Sequence, residues 1–204
     1  MTEQAIYRHL RELREHFTPP PGFTYPEISD GTLVMMMSPR PRHQVTASDV
    51  RDQLVSQLPK GMGAFEATDT DDDSLGKLRV PDIIVTSREA MLTDDPLDPR
   101  EILLAIEIVS PSNPSNDYEA KSRDYPAMGI AHYLILDPRD GTWTYQWGID
   151  TCGGRPAYGN RLRKQPYGTP LAIGTELGTW KLDTSELPLY TRKDMMLSPE
   201  TDAG

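Results

Sequence analysis

Three segments decide the fold of this chain, and they read V-P-D-I-I-V (residues 80–85), L-L-A-I-E-I-V-S-P-S (residues 103–112) and D-Y-E-A-K-S-R-D-Y (residues 117–125). The first two are apolar runs of strand length, and each contains one carboxylate, at Asp82 and Glu107. The third has helical spacing and carries Lys121. A carboxylate inside an apolar run is costly unless a cation or hydrogen-bond donor pairs with it. The three segments therefore form a candidate site of two acids and one lysine.

The spacing within these segments indicates how the side chains could meet. If the strands that carry Asp82 and Glu107 are neighbours, their carboxylates can share one divalent cation, and Mg²⁺ prefers such oxygen ligands. On the following helix, Asp117, Lys121 and Tyr125 form an i, i+4, i+8 row. A lysine in this row can reach back over the end of the preceding strand. Its ammonium and a metal ion beside a phosphate would stabilise the charge that develops during hydrolysis.

Each of these residues also has a simpler interpretation. Asp82 follows a proline and could be an ordinary turn acid. Glu107 could form a structural salt bridge, and Lys121 could be a solvated lysine or a partner of Asp117, which contributes only about 0.3–0.5 kcal/mol. The three residues in this order are more informative than any one of them.

Length and composition favour one domain of ordinary size. The chain has 204 residues, of which 37% are hydrophobic, and no apolar run approaches the roughly 18 residues of a membrane helix. We expect a single domain over residues 1–190 with its core at about 27–147, and a flexible tail at 191–204. The first residues lack the apolar core of a signal peptide, so we expect a cytoplasmic protein with no membrane association. The single cysteine excludes an internal disulfide and a cysteine-cluster metal site.

The net charge of −10 argues against a protein that coats DNA, because phosphate binding usually requires a basic surface. It does not exclude a nuclease, since acids that hold a divalent metal add to the negative count. The basic residues that could meet phosphate are few, namely Arg40, Arg42, Arg51, Arg79, Lys121 and Arg123.

The order of predicted elements indicates an α/β fold in which helices cover a mixed sheet. Helices are predicted at 3–16, 43–58 and 116–129, and strands at 32–37, 63–68, 79–85, 101–109, 133–136 and 142–147. Residues 68–76 read as an acidic turn or loop, and 158–190 as short edge strands. The strand at 143–147 has an aromatic face, which is typical of sheet packing or of an oligomer interface. An exposed face there would favour a homodimer.

These motifs together resemble a known family. V-P-D, E-I-V-S-P-S and D-Y-E-A-K-S-R-D-Y-P-A-M-G, at their spacing, are similar to the Uma-two family of predicted restriction endonucleases, a branch of the PD-(D/E)xK nuclease superfamily. The resemblance extends from about residue 27 to residue 147. It implies a restriction endonuclease-like core, with a mixed central sheet flanked by helices, and Mg²⁺-dependent phosphodiester hydrolysis. Asp82 matches the aspartate of the motif, and Glu107 matches its second acid.

The chain departs from the superfamily pattern at Val109, where the lysine of (D/E)xK would stand. The resemblance implies that this role has moved to the following helix, where Lys121 matches the position. Glu27 resembles an N-terminal acid of the family and could be a third, outer carboxylate. His43 begins a helix and could contact phosphate or a metal-bound water, or simply bond a backbone group. Tyr125 is expected to pack or to orient its neighbours.

The function predicted from the sequence is a metal-dependent endonuclease that hydrolyses phosphodiester bonds in DNA. Asp82 and Glu107 would hold Mg²⁺ or Mn²⁺, with help from the backbone carbonyl of Ile108, and Lys121 would polarise the water or the phosphate. Two alternatives stay open. One is a non-catalytic module with the nuclease fold that binds a protein or nucleic acid partner, and the other is a hydrolase of small phosphate compounds.

Overall fold

A computed structural model describes residues 2–196, which form a mixed α/β fold of three sheets with flanking helices. The strands, in chain order, are β1 (Glu27–Ser29), β2 (Thr32–Val34), β3 (Met62–Glu66), β4 (Thr70–Asp72), β5 (Lys77–Arg79), β6 (Ile83–Ser87), β7 (Leu104–Ile108), β8 (His132–Asp137), β9 (Thr142–Asp150), β10 (Ala157–Pro166), β11 (Leu171–Thr175) and β12 (Gly178–Leu182). The α-helices are α1 (Glu3–Glu15), α2 (Pro41–Val55), α3 (Ser122–Ala127) and α4 (Arg192–Met196). No helix within residues 2–196 is long and apolar enough to cross a membrane.

The central sheet has six strands in the order β10-β9-β8-β7-β6-β3. The two strands that carry the predicted acids are neighbours, since β6 and β7 pair antiparallel with Ile83 opposite Ile106. β7 and β8 form the one parallel pair of this sheet, and a π-helical turn (Asn116–Lys121) followed by α3 connects them. A parallel pair requires such a crossover, which places the segment containing Lys121 against one face of the sheet.

The two faces of β7 lie against different helices. Leu104, Ile106 and Ile108 belong to the core on the α2 side, where Ala47 and Val50 of that helix pack. The intervening residues, Ala105 and Val109, belong to a second core with Tyr125 and Met128 on the side of α3. Because side chains alternate along a strand, Glu107 faces the α3 side as well.

A smaller sheet, in the order β2-β1-β5-β4, lies beside the central one and supplies the N-terminal part of the site. α1 packs on it through Tyr7, which is buried with Ile28 and Leu78. Thr2 caps this helix by accepting a hydrogen bond from the N–H of Ala5 at 3.3 Å. The third sheet is the β11–β12 hairpin, whose Ile173 and Trp180 are buried in the same core as α2.

Several predicted boundaries are wrong. The strand predicted at 79–85 is two strands in different sheets, because the chain turns at 80–82 between β5 and β6. The loop predicted at 68–76 contains β4, which pairs with β5 as a hairpin. The strand predicted at 101–109 begins only at Leu104, after a 3₁₀ turn at Pro99–Glu101.

The C-terminal third also differs from the prediction. β10 is a ten-residue edge strand of the central sheet, longer than the short edge strands expected in 158–190. Residues 192–196 form α4 where a flexible tail was predicted, and 197–204 lie outside the described residues. β9 is paired on both edges, and its Trp143 and Tyr145 are buried in the core. This strand therefore offers no exposed aromatic face to support the predicted homodimer.

Asp137, at the end of β8, is buried among three donors and should stabilise the fold. Tyr118, Arg139 and Lys164 each donate a hydrogen bond to it at 2.8 Å. Burial alone would raise the pKa of Asp137, but the hydrogen bonds from Arg139, Lys164 and Tyr118 lower it from 3.8 to about 2. The ionised group therefore stabilises the folded state above about pH 4, and this contribution is lost as the pH falls towards 2.

We expect Asp137→Asn to lower the free energy of unfolding at pH 7 by about 2 kcal/mol, the value that corresponds to this pKa shift. The difference from the wild type should shrink below pH 4 and nearly vanish by pH 2. Urea denaturation of both proteins between pH 7 and pH 2 measures this difference in the free energy of unfolding. Asp140→Asn is the matched control, because Asp140 binds the same Lys164 from an exposed position. Equal losses in both variants at pH 7 would contradict the assignment.

Candidate active site

Four carboxylates surround one lysine where the two larger sheets meet the segment that follows β7. This acid–lysine cluster consists of Glu27, Asp82, Glu107, Asp117 and Lys121. Asp82 lies just before β6, Glu107 on β7 and Glu27 at the start of β1, while Asp117 and Lys121 belong to the π-helical turn. The structure thus brings together the two acids and the lysine that were predicted to form a site, together with the predicted outer acid.

Lys121 lies at the centre of the cluster and is 1% exposed. Its Nζ is 2.8 Å from Oε1 of Glu107, 3.1 Å from Oε1 of Glu27 and 3.8 Å from Oδ1 of Asp117. Burial alone would lower the pKa of Lys121, but these three carboxylates raise it above the usual value for lysine. The side chain therefore stays an ammonium and acts as a hydrogen-bond donor, and it cannot accept a proton from water at neutral pH.

Asp82 is fixed from two directions. Its Oδ2 accepts a hydrogen bond from the backbone N–H of Ile108 at 2.7 Å, which ties it to the end of β7 directly after Glu107. Its Oδ1 lies 3.0 Å from Nε2 of His43, in the first turn of α2. Burial alone would raise the pKa of Asp82, but His43 lowers it, so this carboxylate is ionised. His43 is therefore placed to position Asp82.

Tyr125 holds Glu107 from α3. Its hydroxyl donates a short hydrogen bond to Oε1 of Glu107, the same oxygen that binds Lys121. The ring of Tyr125 meets that of Tyr133 edge to face at a centroid distance of 4.9 Å, and the Tyr133 hydroxyl donates to the carbonyl of Asp117 at 2.9 Å. Two buried tyrosines thus contact the acids directly, and Tyr125, for which packing or orienting was predicted, makes both a ring contact and a hydrogen bond.

Arg79 anchors the outer part of the cluster. Its Nη1 lies 2.8 Å from Oε2 of Glu27, and its Nη2 donates a short hydrogen bond to Asp124. The backbone N–H of Val80 donates to the other oxygen of Glu27 at 3.0 Å. Burial would raise the pKa of Glu27, but Lys121 and Arg79 lower it, so Glu27 is ionised and holds Lys121 from the side opposite Glu107.

The acids outnumber the cations that face them, and this excess fits a divalent metal. Burial raises the pKa of Glu107 well above its usual value, and although Lys121 lowers it, the neighbouring acids raise it further. For the same reasons the pKa of Asp117 rises from 3.8 to about 7. A divalent cation would neutralise this excess charge, and carboxylate oxygens are the ligands that Mg²⁺ prefers. Within residues 2–196, however, no group of three or more His, Cys, Asp or Glu side chains is arranged to hold a metal ion.

The position of the superfamily lysine is occupied by apolar packing. Val109 is fully buried in the core on the α3 side, and its N–H donates to the carbonyl of Leu136 at 2.8 Å. Valine at this position packs in that core and brings no charge to the cluster. The only ammonium beside Glu107 in the described part of the chain comes from Lys121.

A cleft of about 440 Å³ leads to the cluster. Asp82, Glu107, Asp117 and Lys121 line it, together with residues from β7, α2 and the segments around the smaller sheet. The Asp82 side chain is 25% exposed, whereas Glu107 and Lys121 are almost completely buried. A ligand therefore meets Asp82 first and must enter the cleft deeply to approach Lys121.

The basic residues expected to meet phosphate are mostly committed elsewhere. Arg79 is fully buried and, unlike Lys121, does not line the cleft, so the prediction that it could meet phosphate is wrong. Arg40 lines the cleft and donates to the carbonyl of Asp194 at 3.1 Å. The other three arginines of the predicted set have acidic partners, namely Asp194 for Arg42, Asp52 and Glu66 for Arg51, and Asp30 and Asp124 for Arg123.

Sequence reasoning named Arg79 only as a residue that could meet phosphate, and it missed Asp124 and a site role for Asp117. Arg79 stands directly before V-P-D, next to an apolar run. A charged residue at such a position needs a partner of opposite charge, as the buried acids do. Asp117 was recognised only as a neighbour of Lys121 on the helical row. No local signal points to Asp124 on α3, because its partner Arg79 lies on β5 of the smaller sheet, 45 residues earlier.

The chain is similar to known proteins in sequence and in fold. The sequence profile of the family Uma2 (Uma-two), described as "Putative restriction endonuclease", matches residues 12–146. No curated protein matches the chain. Among solved structures, "a putative nuclease belonging to DUF820" from Anabaena variabilis ATCC 29413 superposes with a TM-score of 0.58 at 16% identity, over 89% of this chain and 94% of that one. At this identity the similarity shows a shared fold, and it confirms the predicted fold class.

Proposed function

This chain belongs to the Uma2 family, and we propose that it is a metal-dependent endonuclease that hydrolyses phosphodiester bonds in DNA. The observation that carries the proposal is the position of the Lys121 ammonium, 2.8 Å from Glu107 and at the inner end of a cleft that also contains Asp82. A buried ammonium beside two carboxylates provides both charges that phosphate hydrolysis requires, a place for a metal and a donor for the phosphate.

Asp82 and Glu107 would hold Mg²⁺ or Mn²⁺, and the carbonyl of Ile108 would contribute a third oxygen. When bound, the metal would supply Lewis acidity at the phosphate and lower the pKa of a water molecule. Lys121 would donate a hydrogen bond to a phosphate oxygen or to the attacking water, because it remains protonated. His43 would keep Asp82 ionised and in place, and Tyr125 would orient Glu107.

We expect the purified wild-type protein to nick plasmid or single-stranded circular DNA in Mg²⁺ or Mn²⁺. Cleavage should stop in EDTA and resume when the metal is restored, because Lys121 stays protonated and cannot activate the attacking water in place of a metal. Gel electrophoresis of the products measures it.

Glu107→Gln, purified in parallel, is the control for a contaminating nuclease. It keeps the shape of the buried side chain and removes one metal-binding charge. Cleavage that persists in EDTA, or that is equal in Glu107→Gln, would contradict the proposal.

The cleft also favours a second candidate, a hydrolase of small phosphate compounds. A cavity of about 440 Å³ has the size of a small-molecule site, and the arginines near it already bind acids or carbonyl groups. Including bis(4-nitrophenyl) phosphate and a nucleotide in the same assay separates the two functions. Metal binding without cleavage of any phosphate ester would instead favour the non-catalytic binding module.

A further inference from the structure

The outer wall of the cleft is apolar and contains an exposed aromatic ring. Met35, Met36 and Met37 line it beside Tyr25, whose residue surface is 53% exposed. Methionine side chains adapt their shape to flat ligands. Tyrosine rings stack on such ligands. The wall is thus suited to a planar apolar group such as a nucleobase, while the acid–lysine cluster at the inner end is suited to a phosphate.

Tyr25 is held in a fixed position at the rim. The residue before it, Thr24, donates its backbone N–H to the carbonyl of Met36 at 2.9 Å. The guanidinium of Arg14 lies over the Tyr25 ring at 5.7 Å from its centroid. Arg14 is itself fixed by a bidentate pair with Asp69 at 2.8 and 2.9 Å. An aromatic side chain that is both exposed and held in place gives a stacking surface at low entropic cost.

The depth of the cluster disfavours duplex DNA as the bound form. Lys121 is 1% exposed and Glu107 is 2% exposed. A phosphate of the nucleic acid must therefore project into the cleft to reach them. In a duplex, the phosphates line a broad, regular cylinder whose major groove alone is about 12 Å wide. A single strand can bend a phosphate inwards and turn the adjacent base outwards to stack.

The charge distribution points in the same direction. Affinity for a duplex comes largely from lysines and arginines that contact many phosphates. Around this cleft, Arg14 is paired with Asp69 and Arg42 with Asp194. For a single strand, stacking on an aromatic ring adds about 1–3 kcal/mol per base, and it tolerates any base.

We infer that the substrate of this site is single-stranded DNA, with a base stacked on Tyr25 while the adjacent phosphate enters the cleft. This inference rests on the proposed nuclease function and specifies its substrate class. It assigns Tyr25 a substrate-binding role that no motif of the sequence indicated.

The test is equilibrium binding and cleavage by the full chain with a labelled single strand and the duplex of the same sequence. Fluorescence anisotropy with Ca²⁺ in place of Mg²⁺ measures the Kd of each substrate. Gel electrophoresis after incubation with Mg²⁺ measures its cleavage. We expect the single strand to bind at least about tenfold more tightly than the duplex, because one stacked base is worth that much or more. Tyr25→Ala should raise the Kd for the single strand about tenfold, whereas Tyr25→Phe, which keeps the ring, should leave it within about twofold.

Leu92→Ala is the matched control, since Leu92 is an apolar residue that is 87% exposed and does not line the cleft. Duplex binding as tight as that of the single strand, or no effect of Tyr25→Ala, would overturn the inference even if the protein is a nuclease. An RNA strand bound more tightly than DNA would overturn the assignment to DNA. Tyr25-dependent binding of the single strand without metal-dependent cleavage would support the binding of single-stranded DNA at Tyr25 and reject the nuclease function.

Discussion

Replacing Lys121 by alanine is expected to lower the rate of DNA cleavage by a factor of about 10² to 10³ while metal binding is retained, because one charged donor to the transition state is lost. Asp82→Ala is expected to lose both metal binding and cleavage, since it removes an ionised oxygen ligand. The contrast separates the two roles, with Asp82 holding the metal and Lys121 acting on the phosphate or water.

The Lys121→Ala protein should still fold, although it loses a buried cation. Glu107 and Asp117 already have raised pKa values, the latter about 7, so a proton can neutralise them once the ammonium is absent. Glu27 keeps its pairing with Arg79. Circular dichroism and thermal unfolding check this before activity is compared.

The measurements are single-turnover cleavage in Mg²⁺ and calorimetric titration with Mn²⁺. Lys60→Ala serves as the control for charge removal, because Lys60 is an exposed lysine outside the cleft. If cleavage is unchanged in both Asp82→Ala and Lys121→Ala, the site assignment fails. If Lys121→Ala also loses metal binding, the division of roles between the two residues fails instead.

The part of the site that lies on β7 and the following helix could be predicted because its contacts are local. Glu107 is an acid in an otherwise apolar strand, and Asp117, Lys121 and Tyr125 are related by helical spacing, so the pattern alone indicates that they share a face. The first turns are π-helical, yet Asp117 and Lys121 still approach to 3.8 Å. The neighbouring position of β6 was then a reasonable guess, and β6 does pair with β7.

The resemblance named Glu27, but its pairing with Arg79 in the outer half of the site could not be predicted, because it depends on pairing between distant strands. Ile28 of β1 lies opposite Leu78 of β5, and this pairing brings Glu27 beside Arg79. β1 is only three residues long and carries no clear strand pattern, so nothing local specifies its partner. The same dependence on distant pairing explains why 79–85 was predicted as a single strand. Its residues have strand character throughout, and only the tertiary arrangement shows that they belong to two sheets.

Replacing Arg79 by methionine is expected to lower the free energy of unfolding by about 3–5 kcal/mol, the usual cost of removing one partner from a buried ion pair. Arg79 is fully buried, and its guanidinium binds Glu27, Asp124 and the side-chain oxygen of Asn116. Burial would lower the pKa of Arg79, but Glu27 and Asp124 raise it, so the group is charged in the folded state. Without it, each of two buried carboxylates, Glu27 and Asp124, loses a cation that binds it directly. Urea denaturation at pH 7 measures the loss.

Arg123→Ala is the matched control, because Arg123 also pairs with Asp124, at 2.9 Å, but from a side chain that is 40% exposed. A partly exposed pair of this kind should contribute less than about 1 kcal/mol. Adding Glu27→Gln and Asp124→Asn to Arg79→Met should recover part of the lost stability, since the uncompensated charges are removed. Similar losses in Arg79→Met and Arg123→Ala would contradict this account. In that case Glu27 would not need Arg79 to stay ionised. The N–H of Val80 and the ammonium of Lys121 would then be sufficient to keep Glu27 charged and in place.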